Sequence, residues 1–199
     1  MSPAFAASSA LAASSPMRDE ILRVGRDLMQ TRSFQGFSFQ DIADRVGIRK
    51  ASIYHHFPSK DALGAAVMNQ MTLRFQRWSE ARRGTPQQQL QAYLDMVRDI
   101  VGAGRCMCPA GSSVGGWGCM SDELRQAVAQ LRGRQVVWLA EVMRGLDGLP
   151  VPAEQMAACF FAVSQGGLVS ARITGRLEDF DDAVAPVRAQ LGLQSPKAA

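Results

Sequence analysis

Hydrogen-bond donors are concentrated between residues 45 and 60 of this 199-residue chain. The interval contains four Lys or Arg residues and both histidines of the chain, but no Asp or Glu. A surface of this kind attracts phosphate, because no neighbouring acid cancels its positive charge. Arg and Lys side chains can also reach guanine edges in the major groove of DNA. The donors therefore indicate the chemistry of nucleic-acid recognition.

Two short helices around a glycine turn are predicted to position these donors. Ser38 can cap the first helix through its side-chain oxygen. The apolar positions of that helix recur every three or four residues, at Phe39, Ile42, Ala43 and Val46. Gly47 follows where a chain leaving a helix favours positive φ, and the second helix, from about residue 49 to 56, places polar side chains around Ile53. This pattern is typical of a helix-turn-helix, whose second helix enters the major groove.

In the same register the segment resembles the DNA-binding head of the TetR/AcrR transcriptional repressors. The positions that match the family pattern are Ile42, Ala43, Gly47, Tyr54, His56, Phe57, Lys60 and Leu63. The resemblance covers residues 17 to 63 and departs from the pattern at Ser38 and Phe39, which replace the usual Thr pair, and at Ile48, which replaces Val. It implies a three-helix head, a helical body that binds an effector, and a homodimer formed by the last two helices.

Seven residues are candidates for DNA contact: Ser38, Arg49, Lys50, Ser52, Tyr54, His55 and Lys60. We expect Arg49 and Lys50 to contact base edges or phosphate, and Ser52 to be a secondary contact. The other four are expected to hold the DNA backbone. Two such heads related by a two-fold axis would read a palindromic operator in double-stranded DNA. The alternative is a plain helical hairpin whose basic face is only solvated.

The predicted fold is all-α, with a disordered arm (1–16), the head (17–63), a helical effector-binding and dimerisation body (64–192) and a disordered tail (193–199). Further helices are predicted near residues 17–31, 59–83, 86–102, 121–146, 152–175 and 179–191, separated by Gly and Pro. No segment has the alternating pattern of a strand. With 47% apolar residues, the chain can form a core in both head and body.

The helix near residues 152–175 is apolar almost all round and is expected to be buried on several sides. Gly166, Gly167 and Ser170 permit close helix approach, and the resemblance places the dimer interface at about residues 152–192. An intramolecular core helix is the alternative. We expect no membrane-spanning run, and the arm lacks the basic and apolar regions of a signal peptide, so a cytoplasmic location is predicted.

Residues 102–120 contain three of the four cysteines and appear too rich in Gly, Ser and Pro for a helix. Cys106, Cys108 and Cys119 have three alternative interpretations: packed small side chains, a thiol switch for electrophiles, or soft metal ligands. The segment also resembles, more weakly, the electrophile-responsive branch of the family. Cys159 is expected to be packed in its helix. A thiol-dependent enzyme is a further alternative, but both histidines lie in the head, so no base is evident and neither an enzyme nor a cofactor is predicted.

A noncovalent effector is the other possibility for the body. Met and aromatic residues could hold a small apolar molecule, and the candidates are Met96, Met107, Trp117, Trp138, Met143 and Phe160. The expected function is thus a DNA-binding repressor that a small molecule releases from its operator.

Overall fold

The computed structural model of the protein describes residues 15–102 and 107–194. The predicted arm up to residue 14, Cys106 and the last five residues of the predicted tail lie outside these ranges. The helices are α1 (Pro16–Arg32), α2 (Phe39–Val46), α3 (Lys50–His56), α4 (Lys60–Glu80), α5 (Pro86–Gly102), α6 (Pro109–Ser113), a 3₁₀ helix (Val114–Cys119), α7 (Asp122–Met143), α8 (Ala153–Thr174) and α9 (Glu178–Gln190). These two ranges contain no strand, and the all-α prediction is confirmed.

Serine side chains cap four of the helices. Ser15, Ser38, Ser59 and Ser121 each accept a hydrogen bond from a backbone N–H in the first turn of α1, α2, α4 and α7. Gly47 ends α2 in the left-handed conformation at φ 77°. A serine cap satisfies a backbone N–H that has no partner within the helix. Local sequence therefore sets where these helices begin, as predicted for Ser38.

The prediction that residues 102–120 are too irregular for a helix is wrong. Residues 109–119 form α6 and the 3₁₀ helix. Pro109 begins α6 at a position where no N–H is needed, and its carbonyl accepts hydrogen bonds from the hydroxyls of Ser112 and Ser113 at 2.9 and 2.8 Å. All three residues are buried, and α6 contacts α1 and α7. Tertiary packing stabilises a short helix that its local composition disfavours.

The head and the body share one continuous hydrophobic core. Gly64 lies at their junction, where a Cβ atom would come within 2.9 Å of the Phe34 ring and 3.1 Å of Leu124. Phe34 belongs to the loop between α1 and α2, and Leu124 lies in the first turn of α7. The glycine thus allows α4 to contact both at once.

Helix α8 packs against α7 and α9. Gly167 permits the approach to α9, since a Cβ atom there would lie 2.8 Å from the Phe180 ring. By length and composition α8 could also cross a membrane, so the prediction that no such run exists is wrong. However, 44% of its most apolar stretch is buried within the protein, as in the core helix of a globular body.

One face of α8 is uncovered and apolar. It consists of Cys159, Ala162, Gly166, Val169 and Ile173, which recur every three or four residues and are all exposed. The predicted packing of Cys159 in the core of the chain is wrong, because α8 directs this side chain away from α7 and α9. Val169 is 43% exposed and Ile173 is 79% exposed, so this face presents aliphatic surface to solvent.

Candidate nucleic-acid interface and effector cavity

The exposed surface of α3 carries the predicted DNA-contact residues. Arg49, Lys50, Tyr54 and His55 are exposed, whereas Ile53 is fully buried and anchors the helix. In the described parts of the chain, no residue forms a hydrogen bond or ion pair with the side chains of Arg49, Lys50 or His55. These donors are therefore free to contact phosphate or base edges. Ser52 is half-buried beside them.

Aromatic packing orients Tyr54. Its ring lies edge-to-face against Phe39 of α2, with the ring centroids 5.0 Å apart, while the side chain remains 52% exposed. The contact fixes α3 relative to α2 and leaves the hydroxyl at the surface. Tyr54 can thus support the small core and face DNA at the same time.

Ser38 and Asp41 form a capping box at the start of α2. The backbone N–H and the hydroxyl of Ser38 donate to the Asp41 carboxylate at 2.8 and 2.7 Å, and Arg32 donates to the same carboxylate at 2.9 Å. The hydrogen bonds from Ser38, followed by the Arg32 contact, lower the pKa of Asp41 to about 2. The capping role of Ser38 is confirmed, whereas its contact with phosphate stays a prediction.

Lys60 points into the head instead of toward the surface of α3. Its ammonium donates to the Phe37 carbonyl at 2.5 Å and lies 4.8 and 4.6 Å from the ring centroids of Phe34 and Phe37. Burial lowers the pKa of Lys60. Lys60 thus ties α4 to the loop before α2 through a hydrogen bond and two cation–π contacts. This geometry disfavours the phosphate contact predicted for it.

The C-terminal end of α1 is held by two separate parts of the body. The Gln30 carbonyl accepts the backbone N–H of Met107 at 3.1 Å, and the Thr31 carbonyl accepts from Arg172 of α8 at 2.9 Å. The last carbonyls of a helix have no partner within it, and here the body provides partners. The end of α1 is therefore hydrogen-bonded both to the segment before α6 and to α8.

An apolar cavity of about 300 Å³ lies between α1, α4, α5, α6 and α7. Its apolar walls include Met71, Phe75, Trp78, Met96, Cys108 and Leu131. Three side chains bring polar groups to the lining: Gln30, Arg74 and Gln135. An apolar chamber with a few polar groups is the usual form of a small-molecule site.

Two predicted effector residues, Met96 and Cys108, line this cavity. Trp138 and Phe160 instead pack around Tyr93, with ring centroids 6.2 and 5.9 Å from it, in an aromatic cluster next to the cavity. Trp138 also lines a separate pocket between α4 and α7. The structure therefore groups only part of the predicted set.

The remaining effector candidates do not line the cavity. Met143 is fully buried, Met107 is half-buried, and Trp117 is 42% exposed on the 3₁₀ helix. Cys119 is also exposed. The spacing of these residues in the sequence did not indicate whether their side chains face the cavity, the core or the solvent.

Burial raises the pKa of the Cys108 thiol, although backbone hydrogen bonds from Gly111 and Ala110 oppose the shift. A raised pKa reduces the thiolate fraction, and the thiolate is the form that attacks electrophiles. Cys108 is thus suited to packing against a ligand. Over residues 15–102 and 107–194, no group of three His, Cys, Asp or Glu side chains is placed to hold a metal.

Sequence inspection missed Arg74 and Gln30 as cavity residues. A signal for Arg74 was present, since Met71, Phe75 and Trp78 form an apolar stripe along α4 and Arg74 lies within it. A charged residue on an otherwise apolar stripe indicates a specific polar contact. Gln30 had no such signal, because only the packing of α6 on α1 brings it to the cavity.

The family model described as "Bacterial regulatory proteins, tetR family" matches residues 21–67. The chain is also similar to the HTH-type transcriptional repressor DhaR of Mycobacterium sp. (strain GP1), with 27% identity over 99 residues. That match covers 48% of this chain and spans half the length of DhaR.

Solved structures resemble the chain over nearly its whole length. A TetR-family transcriptional regulator from Agrobacterium tumefaciens is 27% identical, with a TM-score of 0.82 over 88% of this chain and 97% of that chain. AibR, solved in complex with isovaleryl coenzyme A and operator DNA, shares the fold with 22% identity and a TM-score of 0.66 over 89% of this chain and 100% of that chain. The match of the helix-turn-helix head to the family model, together with a helical body of the same fold as solved TetR-family regulators, supports a regulator of the TetR family.

Proposed function

We propose that the protein is a cytoplasmic transcriptional repressor that binds a palindromic operator as a homodimer and leaves it when a small molecule binds the body. The observation that carries this proposal is the surface of α3, where Arg49, Lys50 and His55 are exposed and have no partner among the described residues. The repressor DhaR and the operator complex of AibR support it by analogy. Regulators of this family are not enzymes, so the thiol-enzyme alternative is set aside.

The uncovered face of α8 supports the homodimer. A second copy related by a two-fold axis would bury the same stripe on both subunits, with Gly166 allowing close approach of the backbones. Covering Val169 and Ile173 would remove two exposed aliphatic side chains from water. The predicted interface at about residues 152–192 contains this stripe.

The cavity next to α1 supports release by an effector. Because Gln30 of the head lines it, a ligand in the cavity would contact α1 directly. The ligand could then change the spacing of the two heads by moving α1 and α4. AibR, which shares this fold, was solved with isovaleryl coenzyme A and is an example of such a chain in complex with a small molecule.

A thiol switch is a second candidate mechanism, favoured by the exposure of Cys119. Its test is DNA binding in the presence of a thiol-reactive alkene, for the wild type and for Cys106→Ser, Cys108→Ser and Cys119→Ser. Release by the alkene that Cys119→Ser abolishes would support this mechanism. Binding that the alkene leaves unchanged would leave only the noncovalent effector.

DNA binding is tested by fluorescence anisotropy on a fragment spanning the protein's own promoter. Arg49→Ala and Lys50→Ala are each expected to weaken binding by about tenfold or more and to reduce its dependence on salt. Arg83→Ala is the control, because Arg83 lies in the loop between α4 and α5. Binding with no preference over unrelated DNA would contradict the proposed function.

A further inference from the structure

The guanidinium of Arg74 has no direct partner in the parts of the chain that the structure describes. No hydrogen bond or ion pair there satisfies it. Asp27, a carboxylate that acts on Arg74 electrostatically, is already shared, since Arg23 and Arg26 both form ion pairs with it at 3.2 and 3.1 Å. Arg23 also pairs with Glu20, so three arginines here face two carboxylates and one positive charge is left in excess.

Part of the Arg74 side chain is desolvated, although the residue as a whole is exposed. Burial, and then the proximity of Arg26, lower the pKa of Arg74. A partly desolvated cation beside a second cation is stabilised by any anion that comes between them. The apolar walls next to it offer Phe75 and Trp78 to the remainder of such a molecule.

We infer that the cavity takes a small amphiphilic monoanion, an apolar body bearing a carboxylate, with the carboxylate bound by Arg74 and the apolar part between α4, α5 and α7. Gln30 and Gln135 supply neutral hydrogen-bonding groups along the lining and would not repel the anion. The volume of about 300 Å³ is at the lower end for small-molecule sites and limits the body to one or two rings or a medium-length chain.

The regulatory meaning of this inference depends on the proposed function, because the ligand would act through Gln30. Gln30 lines the cavity, and its backbone carbonyl accepts the backbone N–H of Met107 of the body. A ligand that displaces Gln30 would therefore act on the same residue that fastens α1 to the body.

The test compares matched carboxylates and amides. Isothermal titration calorimetry is performed with 2-naphthoate and 2-naphthamide, and with decanoate and decanamide, on the full chain. Within each pair the two compounds have nearly the same shape, so a difference in affinity reports the charge. For at least one pair the wild type is expected to bind the carboxylate about tenfold or more tightly than the amide, as for a charge-assisted hydrogen bond.

Three variants assign the preference to Arg74. Arg74→Gln is expected to bind carboxylate and amide equally, and Arg74→Lys to keep part of the preference. Arg77→Gln is the matched control, since it removes an Arg one turn away on α4 that does not line the cavity. Thermal unfolding of each variant checks that the fold is kept.

Two outcomes would overturn the inference: equal or better binding of both amides by the wild type, or no binding of any of the four compounds up to about 1 mM. The same preparations are titrated with promoter DNA. Operator binding without carboxylate binding would leave the proposed function intact, whereas carboxylate binding without operator binding would contradict the function and keep the ligand assignment.

Discussion

The carboxylate of Asp61, in the first turn of α4, accepts a hydrogen bond from the backbone N–H of Ser121, the residue that caps α7. The two residues are 60 positions apart in the sequence. The contact joins the first turn of the helix that leaves the head to the first turn of a body helix, and the negative charge of Asp61 lies near the N-termini of both helices.

Replacing Asp61 should therefore destabilise the protein. Asp61→Ala is expected to lower the free energy of unfolding by about 1–2 kcal/mol, because a backbone N–H loses its acceptor and two helix dipoles lose a favourable charge. Urea denaturation followed by circular dichroism measures the change. Asp147→Ala is the control, since Asp147 is exposed in the loop between α7 and α8 and forms no hydrogen bond or ion pair with any residue that the structure describes. Equal effects of the two substitutions would contradict the assigned role.

Ser33 ends α1 with φ 66° and ψ 168°, a conformation that favours glycine. Ser33→Gly is expected to raise the free energy of unfolding by about 1 kcal/mol, since relief of backbone strain exceeds the entropy cost of glycine. Ser33→Ala keeps the strain and should be no more stable than the wild type. Thermal unfolding of the three proteins makes the comparison. A destabilised Ser33→Gly variant would show that the conformation is not strained.

The capping box of α2 should make stability depend on pH. The pKa of Asp41 is lowered from an ordinary 3.8 to about 2 in the folded protein, so its contribution is present above about pH 4 and is lost as the pH falls toward 2. The difference in urea midpoint between the wild type and Asp41→Asn should thus shrink over that interval. For Thr31→Ala, which removes a hydroxyl that donates only to the backbone carbonyl of Asp27, the difference should stay constant. A wild type to Asp41→Asn difference that does not change with pH would contradict the assignment.

The exposed stripe of α8 can be tested with a charge. Val169→Glu is expected to convert the proposed dimer to monomer, because a buried carboxylate at a two-fold interface would face its own copy. Sedimentation equilibrium measures the mass. Operator affinity should fall as the dimer is lost. Cys159 on the same stripe should then react faster with a chromogenic disulfide, because the second copy no longer covers it. Val137→Glu, which places the same charge at an exposed aliphatic position of α7 outside residues 152–192, is the control. A variant that stays dimeric would place the interface elsewhere.

Local signals in the sequence predicted the head well and the body less completely. Ser38 caps α2 with its side chain and Gly47 ends it with a left-handed backbone, so the limits of α2 followed from residue type. Lys60 has the same local signal as a surface cation, yet it bonds to the Phe37 carbonyl, 23 positions earlier in the chain. No pattern of residue types encodes that contact.

The body shows the same limit. The segment with Pro109 is helical because α1 and α7 bury it, and its composition could not indicate those neighbours. The cavity joins Gln30 to Leu131, residues about a hundred positions apart, and only the folded chain brings them together. The exposure of Cys159 depends on which side of α8 faces α7 and α9, a choice that an evenly apolar helix leaves open.

The close contact at Gly64 has a consequence for protein engineering. Phe34 and Leu124 both pack against that glycine, so the head does not end at a clean boundary that could be cut and joined to another body. A chimera that joins this head to the body of a related regulator would also have to include Leu124 and Ser121. Without them, α4 would pack against side chains that do not fit its surface at Gly64 and Asp61. We therefore expect that DNA specificity can be exchanged between such proteins by substituting residues of α3, and not by replacing the whole head.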